Sequence, residues 1–250
     1  MPASTLVRAG LNDWKRRWPA SFWRARNGAA LAGWFWSRLQ RRIGAGAQPY
    51  DDAFWASQET GDWDRVAELL ETLVSPGSIV EVGCGHGLLL EAMARRLPTA
   101  GLIGLEDSDA AIARARARGL TVVHADIAGA SHAEIERLAG TLGTPDLTVC
   151  LEVAEHLPSW HSAKLLRLLS IAPVVLFSAA HPNQGGVLHV NERPAEYWQE
   201  RFAALGYMPS VRDQQLRARL RTIDLPPWYA DNAHLFERTR AGGPWRAPGC

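Results

Sequence analysis

A glycine-rich turn constrains the fold of this chain more than any other feature of the sequence. The turn joins a β-branched, apolar run at residues 78–82 to a helical stretch at residues 88–97. Its glycines alternate with other residues, at Gly83, Gly85 and Gly87. Because glycine tolerates positive φ and has no side chain, a ligand can approach the main chain there and the amino end of the following helix. The sequence therefore predicts a strand, a ligand-binding turn and a helix in direct succession.

Short β-rich runs and helical stretches then alternate along the rest of the chain. The predicted strands are residues 78–82, 102–105, 121–124, 147–151, 174–178, 208–211 and 234–237. Stretches with helical periodicity separate most of them. This alternation is typical of a parallel sheet wrapped by helices, so we predict an α/β fold.

Composition agrees with one large α/β domain and an attached segment. The chain has 250 residues, of which 47% are hydrophobic and 21% are charged, within the ordinary globular range. Its three cysteines, Cys84, Cys150 and Cys250, lie far apart and form no C-x-x-C pair. The amino terminus lacks the apolar run of a secretory signal. We therefore expect a reduced, cytoplasmic setting.

The segment before Pro49 differs from the rest in charge. It carries nine basic residues and one acidic residue, Asp13, although the whole chain has a net charge of +1. Tryptophan, phenylalanine and leucine recur in it at helical spacing and are interrupted around Asn27 and Gly28. We therefore predict two short amphipathic helices, followed by a breaker-rich linker at residues 44–49.

The sequence patterns of two common glycine-rich nucleotide-binding turns do not match the turn after the first predicted strand. The dinucleotide fingerprint spaces its glycines as G-x-G-x-x-G, and this chain has Leu88 where the third glycine would fall. The P-loop requires G-K-[ST], which is absent from the turn. The turn therefore serves a different class of ligand.

Residues 81–87 read E-V-G-C-G-H-G. They resemble motif I of class I S-adenosylmethionine (SAM)-dependent methyltransferases, [DE]-x-G-x-G-x-G, at every position. The resemblance continues in register from about Tyr50 to Arg238, roughly three quarters of the chain. It implies a Rossmann-like fold with a seven-stranded, mostly parallel sheet, an N-terminal helical extension and SAM as the cofactor.

Acids at the ends of strands extend the resemblance. The family places an acid for both ribose hydroxyls after the second strand, where this chain has Glu106, and one for the adenine amine after the third, where it has Asp126. Charge-assisted hydrogen bonds of this kind are worth about 1.5–3 kcal/mol each. The fourth strand leads into D-x-x-x-x-x-E-V-x-E-H-L at residues 146–157, as in the family. The resemblance implies that the cofactor contacts Glu81, Gly83, Cys84, Gly85, Gly87, Glu106, Asp107, Asp126, Ile127, Leu151 and Glu152.

The E-x-x-E-H letters have two interpretations. In small-RNA 2′-O-methyltransferases and ubiquinone-type O-methyltransferases, the residues that match Glu152, Glu155 and His156 hold a divalent metal, and His189 is a further candidate ligand here. In many relatives the same letters occur without a metal, and the histidine supports the sheet. We take the structural interpretation first and leave metal use open.

A polar segment follows the fifth strand and marks the candidate acceptor site. It resembles the P-x-Q-G-G-x-x-H-x-N segment of a bacterial and viral methyltransferase subgroup that also carries a Y-x-x-x-F-W like residues 50–55. We predict that His181, His189 and Asn191 face the acceptor. A hydroxyl or carbon acceptor needs a base, for which His189 or His181 is the candidate.

The resemblance divides the chain into a basic extension at residues 1–49, a methyltransferase domain at residues 50–240 and a tail at residues 241–250. The extension is interpreted as a lid over the cofactor cleft. Its tryptophans and arginines also suit an anionic membrane surface or a nucleic acid. The near-neutral net charge of +1 argues against a nucleic acid, because phosphate recognition calls for a basic track.

These observations predict an enzyme that transfers the methyl group of SAM to a small-molecule acceptor by direct displacement. Three alternatives stay open: cyclisation or cleavage of SAM itself with release of methylthioadenosine, metal-assisted methylation of RNA, and SAM binding without catalysis. The sequence does not identify the acceptor, the acceptor atom or the oligomeric state.

Overall fold

Short β-branched runs form a central sheet, and the segments between them form helices, in the computed structural model of the protein, which describes residues 19–42 and 50–239. The strands are β1 (Ser78–Val82), β2 (Gly101–Glu106), β3 (Val122–His124), β4 (Leu147–Leu151), β5 (Val174–Ser178), β6 (Tyr207–Pro209) and β7 (His234–Arg238). The helices are α1 (Pro19–Arg42), α2 (Asp52–Ser57), α3 (Trp63–Leu73), α4 (Leu88–Arg96), α5 (Asp109–Ala117), α6 (His132–Leu142), α7 (Ser162–Leu169), α8 (Ala195–Ala204), α9 (Asp213–Leu220) and α10 (Pro227–Asn232). Two short 3₁₀ turns, Ala154–His156 and Ser159–His161, precede α7.

The seven strands form one sheet in the order β3-β2-β1-β4-β5-β7-β6. The first five are parallel, and β7 runs antiparallel to both β5 and β6. The strand order reverses between β1 and β4, which are neighbours in space. Open α/β sheets bind ligands at such a reversal, beyond the carboxyl ends of the strands. The predicted seven-stranded, mostly parallel sheet is confirmed.

Two hydrophobic cores lie on opposite faces of the sheet. Successive strand residues alternate between them, since Ile79 and Leu176 belong to one core and Val80 and Phe177 to the other. Residues of α3, α4, α5, α9 and α10 complete the first core, and residues of α6, α7 and α8 complete the second. The parallel strands are thus covered on both faces, which explains their nearly continuous apolar sequences.

Capping residues set several helix starts. The Asp62 side chain accepts a hydrogen bond from the Arg65 amide at 3.1 Å, so α3 begins one residue after it. Ser131 and Glu134 form a reciprocal capping box at the start of α6. Side-chain acceptors at these positions satisfy amides that the helix itself leaves unpaired.

Helix α1 differs from the prediction of two short helices for this segment. The structure has one continuous helix of 24 residues where the sequence pattern predicted two helices broken around Asn27 and Gly28. A glycine in a helix interior costs only about 1 kcal/mol relative to alanine, and residues 29–32 are A-A-L-A. Tertiary contacts of α1 offset that cost, because Trp34 is 8% exposed. Among the described helices, none combines the length and the apolar character needed to cross a bilayer.

Several predictions fall on residues outside the described ranges. They concern residues 1–18, the linker at residues 44–49 and the whole tail at residues 241–250. The division into three parts at residues 49 and 240 stays a prediction.

Candidate functional site

A cavity of about 530 Å³ lies at the carboxyl ends of β1, β2, β3 and β4. Its walls come from the turn after β1, the residues that end or follow β2 and β3, the residues that follow β4, and the polar segment at residues 184–189. Helix α1 contributes Trp34, Ser37 and Arg38 to the lining. The cavity therefore lies where the strand order reverses, at the position expected of a ligand site in this fold class.

The glycine-rich turn is held close to its surroundings. Gly83 and Gly85 have φ values of 74° and 53°, a region that residues with a Cβ rarely adopt. A Cβ on Gly83 would lie 2.4 Å from a methyl carbon of Val153, and one on Gly85 would lie 2.8 Å from the Trp55 ring. The amides of Gly83 and Cys84 donate to the carbonyl of Leu105, at 2.7 and 3.1 Å. The turn therefore packs tightly between β2 and the residues after β4.

Glu106 ties the end of β2 to the turn. One carboxylate oxygen accepts from the Gly85 amide at 2.9 Å, and the other accepts from the amides of Asp107 and Ser108 at 2.9 and 2.8 Å. Burial raises the pKa of Glu106, and these three backbone hydrogen bonds oppose that rise. The carboxylate is thus fixed in orientation at the cavity wall, where its remaining lone pairs can accept a ligand's hydroxyl groups.

Glu81 is the fourth residue of β1 and lines the cavity just before the turn. It is 6% exposed, and one of its carboxylate oxygens makes no hydrogen bond within the described residues. Burial and the nearby Glu106 carboxylate raise the pKa of Glu81 to about 8. Glu81 is therefore mainly protonated at neutral pH before a ligand binds.

Cys84, within the turn, and Leu151, the last residue of β4, also line the cavity. Burial strongly raises the pKa of the Cys84 thiol, so the thiolate needed for nucleophilic chemistry is disfavoured. A Cβ on Gly104 would lie 2.5 Å from the Cys84 sulfur. Cys84 therefore fills space between the turn and β2.

Asp126 is engaged by helix α1. The guanidinium of Arg38 donates to both of its carboxylate oxygens, at 2.9 and 2.5 Å, and the Gly129 amide adds a bond of 2.8 Å. Asp107 and Ile127 lie beside it in the cavity lining. The sequence pattern did not predict Arg38, because its partner is 88 residues away.

Glu152 follows β4 in a strained conformation. Its φ is 54°, a value uncommon for residues other than glycine. Its carboxylate accepts from the Asn232 amide group at 3.0 and 3.2 Å and from Gln184 at 3.1 Å. Helix α10 and the polar segment after β5 thus hold Glu152 in place.

Glu155, His156 and His189 form a compact cluster in which the ligand atoms lie within 4.8 Å of one another. Glu155 is 0% exposed, and neither of its oxygens makes a hydrogen bond within the described residues. Burial and the Glu152 carboxylate raise the pKa of Glu155 well above its ordinary range. Burial and His189 lower the pKa of His156 to about 3, and its Nδ1 lies 3.1 Å from the Tyr50 hydroxyl.

The three predicted acceptor residues do not share one place. His189 lines the cavity, whereas His181 and Asn191 do not. Asn191 is 3% exposed and turned inward, where its amide donates to the Ala154 carbonyl at 3.3 Å and its oxygen accepts from Arg193 at 2.8 Å. Internal hydrogen bonds of the segment therefore use Asn191, and the prediction that all three residues face the acceptor is not supported by their placement.

Other lining residues were outside the predicted site. Trp34, Trp63, Trp228 and Tyr229 bring aromatic surface from α1, α3 and α10. Amphipathic periodicity marks such residues as core, so the sequence carries no signal that separates them from packing residues. Their positions depend on how the helices dock on the sheet.

A model of a protein family described as "Methyltransferase domain" matches residues 50–227 of this chain. Among curated relatives, the "Trans-aconitate 2-methyltransferase" of Acidovorax sp. (strain JS42) is 37% identical over 83 residues, 32% of each chain. The "Ubiquinone biosynthesis O-methyltransferase" of Alkalilimnicola ehrlichii is 38% identical over 124 residues, 48% of each chain. The chain thus spans between about a third and a half of the length of the curated relatives it matches.

Solved structures share the fold. The plantazolicin methyltransferase BpumL, crystallised with a triazolic desmethylPZN analog and SAH, superposes with a TM-score of 0.52 at 18% identity. The match covers 87% of this chain and 97% of that one. With a family model that covers more than half of its residues, the chain belongs to the methyltransferase-domain family, and its fold is that of the class I SAM-dependent methyltransferases.

Proposed function

We propose that this chain transfers the methyl group of SAM to a small-molecule acceptor that is neutral or cationic. One observation carries the proposal: the glycine-rich turn, the oriented Glu106 carboxylate and the polar cluster around His189 all line one cavity. The turn and Glu106 suit an adenosyl amino acid, and the cluster suits a reacting acceptor. Family membership supports the same activity.

The cavity offers matching chemistry to each part of SAM. Glu106 suits the ribose hydroxyls, Asp126 and Ile127 suit the adenine ring, and Glu81 suits the ammonium group. When bound, SAM supplies an electrophilic methyl carbon on a sulfonium and leaves as a neutral thioether. The residues of the chain then have to hold the acceptor in line with that carbon, and positioning supplies most of the acceleration.

His189 is the proposed base for a hydroxyl acceptor. It lines the cavity and is 8% exposed. The acceptor can therefore give its proton directly to the His189 ring, without bulk water as the base. An amine acceptor needs only to lose its proton before it reacts.

The charges of the cavity limit the class of acceptor. The acidic lining residues are Glu81, Glu106, Asp107, Asp126, Glu152 and Glu155. Among the described lining residues, Arg38 is the only lysine or arginine, and it forms an ion pair with Asp126. Among the described lining residues a carboxylate acceptor would find no lysine or arginine free of an acidic partner, and placing its charge there is costly in a partly buried site. The proposed acceptor therefore differs in charge from trans-aconitate, which the Acidovorax relative's name gives as that protein's substrate.

A transfer assay tests the proposal. The purified protein is incubated with methyl-labelled SAM alone and with panels of amines, phenols, neutral alcohols and polycarboxylates, and nucleoside products are separated. We expect S-adenosylhomocysteine, formed in step with a methylated amine or neutral acceptor. Methylthioadenosine from SAM alone, or transfer confined to polycarboxylates, would contradict the proposal.

SAM binding is expected to release a proton from Glu81. Since burial and Glu106 raise the pKa of this carboxyl to about 8, it is protonated in the free protein at neutral pH. The SAM ammonium group favours the carboxylate form, so SAM affinity should increase as the pH rises from about 6 to about 8. Calorimetry in buffers with different ionisation enthalpies measures the proton released. In Glu81→Gln both the release and the pH dependence should disappear, and their persistence would show that another group titrates.

The Glu155, His156 and His189 cluster, called here the EHH cluster, fits a divalent cation in its ligand types. One buried carboxylate, to which the described residues donate no hydrogen bond of normal geometry, and two imidazoles lie close enough to share an ion. Glu152 is outside this set, since Asn232 and Gln184 hold its carboxylate. When bound, a metal would act as a Lewis acid and lower the pKa of a hydroxyl acceptor.

A Mn²⁺ titration without SAM tests this interpretation. We expect Mn²⁺ binding, with an affinity that falls at least about tenfold in Glu155→Gln. Glu68→Gln is the matched control, because Glu68 is an exposed glutamate of α3 that does not line the cavity, and its Mn²⁺ affinity should stay close to that of the unaltered protein. Absence of Mn²⁺ binding would favour the structural interpretation, in which Glu155 stays protonated because burial raises its pKa.

A further inference from the structure

Glu192 organises the polar segment that carries His189. One of its carboxylate oxygens accepts from the Gly185 amide at 2.7 Å and from Nη2 of Arg26 at 2.9 Å, and Nδ1 of His189 lies 3.2 Å from the same oxygen. The other oxygen accepts from the Asn183 amide at 2.9 Å. The Glu192 side chain is only 4% exposed. It is therefore a buried carboxylate with a partner on each oxygen.

These partners keep Glu192 ionised. Its oxygens accept from the amides of Gly185 and Asn183 and from the Arg26 guanidinium, all of which can only donate, and Arg26 supplies the opposite charge. An ionised carboxylate only accepts hydrogen bonds. The neighbouring Nδ1 of His189 therefore carries a proton, and Nε2 of neutral His189 holds the free lone pair.

The position of the His189 ring is narrowly defined. A Cβ on Gly186 would lie 2.1 Å from Nε2 of His189, so the ring occupies space that a side chain at position 186 would need. The rings of His156 and His189 meet edge to face, with centroids 4.8 Å apart. With Glu192 on Nδ1, the ring is thus fixed on three sides.

Arg26 connects this arrangement to helix α1. It lies 166 residues before Glu192, and its side chain is 22% exposed. Twelve residues later in the same helix, Arg38 pairs with Asp126. At 1.5 Å per residue, the two ion pairs are separated by about 18 Å along α1. Between them, a Cβ on Gly33 would lie 3.3 Å from the Leu188 side chain, which shows how closely α1 packs on the polar segment.

We infer that Glu192 and Arg26 are positioning residues for His189: Glu192 fixes the ring and its Nδ1–H tautomer, and Arg26 of α1 holds Glu192 in place. Through Arg26, helix α1 then helps to position the residues on the acceptor side of the site. The inference rests on the proposed function in one respect, namely that His189 serves the acceptor. A carboxylate that orients a histidine through its second nitrogen is an established device in both base catalysis and metal ligation.

Histidine NMR tests the inference without any acceptor. The protein is labelled with ¹⁵N-histidine, the His189 signals are assigned by their loss in His189→Ala, and two-bond correlations at mildly alkaline pH identify the tautomer. We expect the Nδ1–H tautomer in the unaltered protein, and its loss or mixing in Glu192→Gln and Arg26→Met. Arg26→Lys should restore part of it, because lysine keeps the charge but not the planar donor geometry.

Arg95→Met is the matched control. It removes an arginine that pairs with Asp64 at 2.8 Å on the exposed surface, far along the chain from the polar segment. The His189 spectrum and the SAM affinity of this variant should match those of the unaltered protein. Thermal unfolding of each variant shows whether it still folds. If Arg26→Met is unfolded, Arg26→Lys is the variant whose His189 spectrum is compared with that of the unaltered protein.

A double-mutant cycle gives an independent readout once an acceptor is found. Arg26→Met should lower kcat/KM for the acceptor by about 10- to 100-fold with KM for SAM nearly unchanged, and should have little further effect in the His189→Ala background. An Nε2–H tautomer in the unaltered protein, or an unchanged His189 spectrum in Arg26→Met, would overturn the inference. Failure of the proposed function is distinguishable, because it appears as no methyl transfer by the unaltered protein while the tautomer result stands.

Discussion

Glu106→Gln is expected to lower SAM affinity by about 10- to 150-fold, which corresponds to the loss of about 1.5–3 kcal/mol. The Glu106 carboxylate accepts three backbone hydrogen bonds, two of them on one oxygen. In glutamine an NH₂ group replaces one of the two oxygens, and it cannot accept from the backbone amides that donate to that oxygen. The side chain must therefore turn away, or at least one of these backbone amides loses its hydrogen bond. Both outcomes remove the charged acceptor that the ribose hydroxyls would meet.

Calorimetry with SAM and with S-adenosylhomocysteine measures the loss. Asp109→Asn is the matched control, because Asp109 is an exposed acid on the first turn of α5 and does not line the cavity. Its SAM affinity should be unchanged. Equal affinities in Glu106→Gln and Asp109→Asn would remove Glu106 from the cofactor site.

Gly83→Ala should destabilise the fold by about 2–5 kcal/mol. The positive φ of Gly83 costs a residue with a Cβ about 1–2 kcal/mol, and the methyl group would overlap Val153 at 2.4 Å, which adds about 1–3 kcal/mol of overpacking. Relief requires movement of the turn or of the residues after β4. SAM binding should therefore fall with stability.

Urea unfolding followed by tryptophan fluorescence measures the free energy of unfolding. Gly140→Ala is the control: Gly140 lies in α6, and a Cβ there meets nothing within 4 Å. It should stabilise the protein by about 0.5–1 kcal/mol, because alanine favours the helix. A Gly83→Ala variant as stable as the unaltered protein would show that the turn tolerates a side chain.

Local pattern was enough to predict the sheet. Strand β1 and the turn after it are adjacent in sequence, so residues 78–87 define a strand, a turn and a helix start without knowledge of distant partners. The resemblance implied a cofactor role for Glu106, which stays a prediction, and the place of Glu106 at the carboxyl end of β2 puts it at the ligand edge of the sheet. The bounds of β1, β4 and β5 in the structure are the predicted ones.

Partners remote in sequence could not be predicted. Glu192 was absent from the predicted site because its role depends on Arg26, 166 residues away. The break predicted at Asn27 and Gly28 was wrong because local helix propensity was weighed without the docking of α1. The resemblance to the P-x-Q-G-G-x-x-H-x-N segment implied that Asn191 faces the acceptor, yet its side chain is turned into the protein.

The antiparallel strand β7 gives the last residues of the sheet unusual importance. It lies between β5 and β6, so it is the hydrogen-bonding partner of both. The family match ends at residue 227, before Asn232 and before β7. A fragment cut at that boundary would detach β6, leave the edge of β5 open to pairing with other chains and take away one of the amides that hold Glu152. The segment matched by the family model is therefore shorter than the unit of folding, and recombinant fragments should retain residues through at least 239.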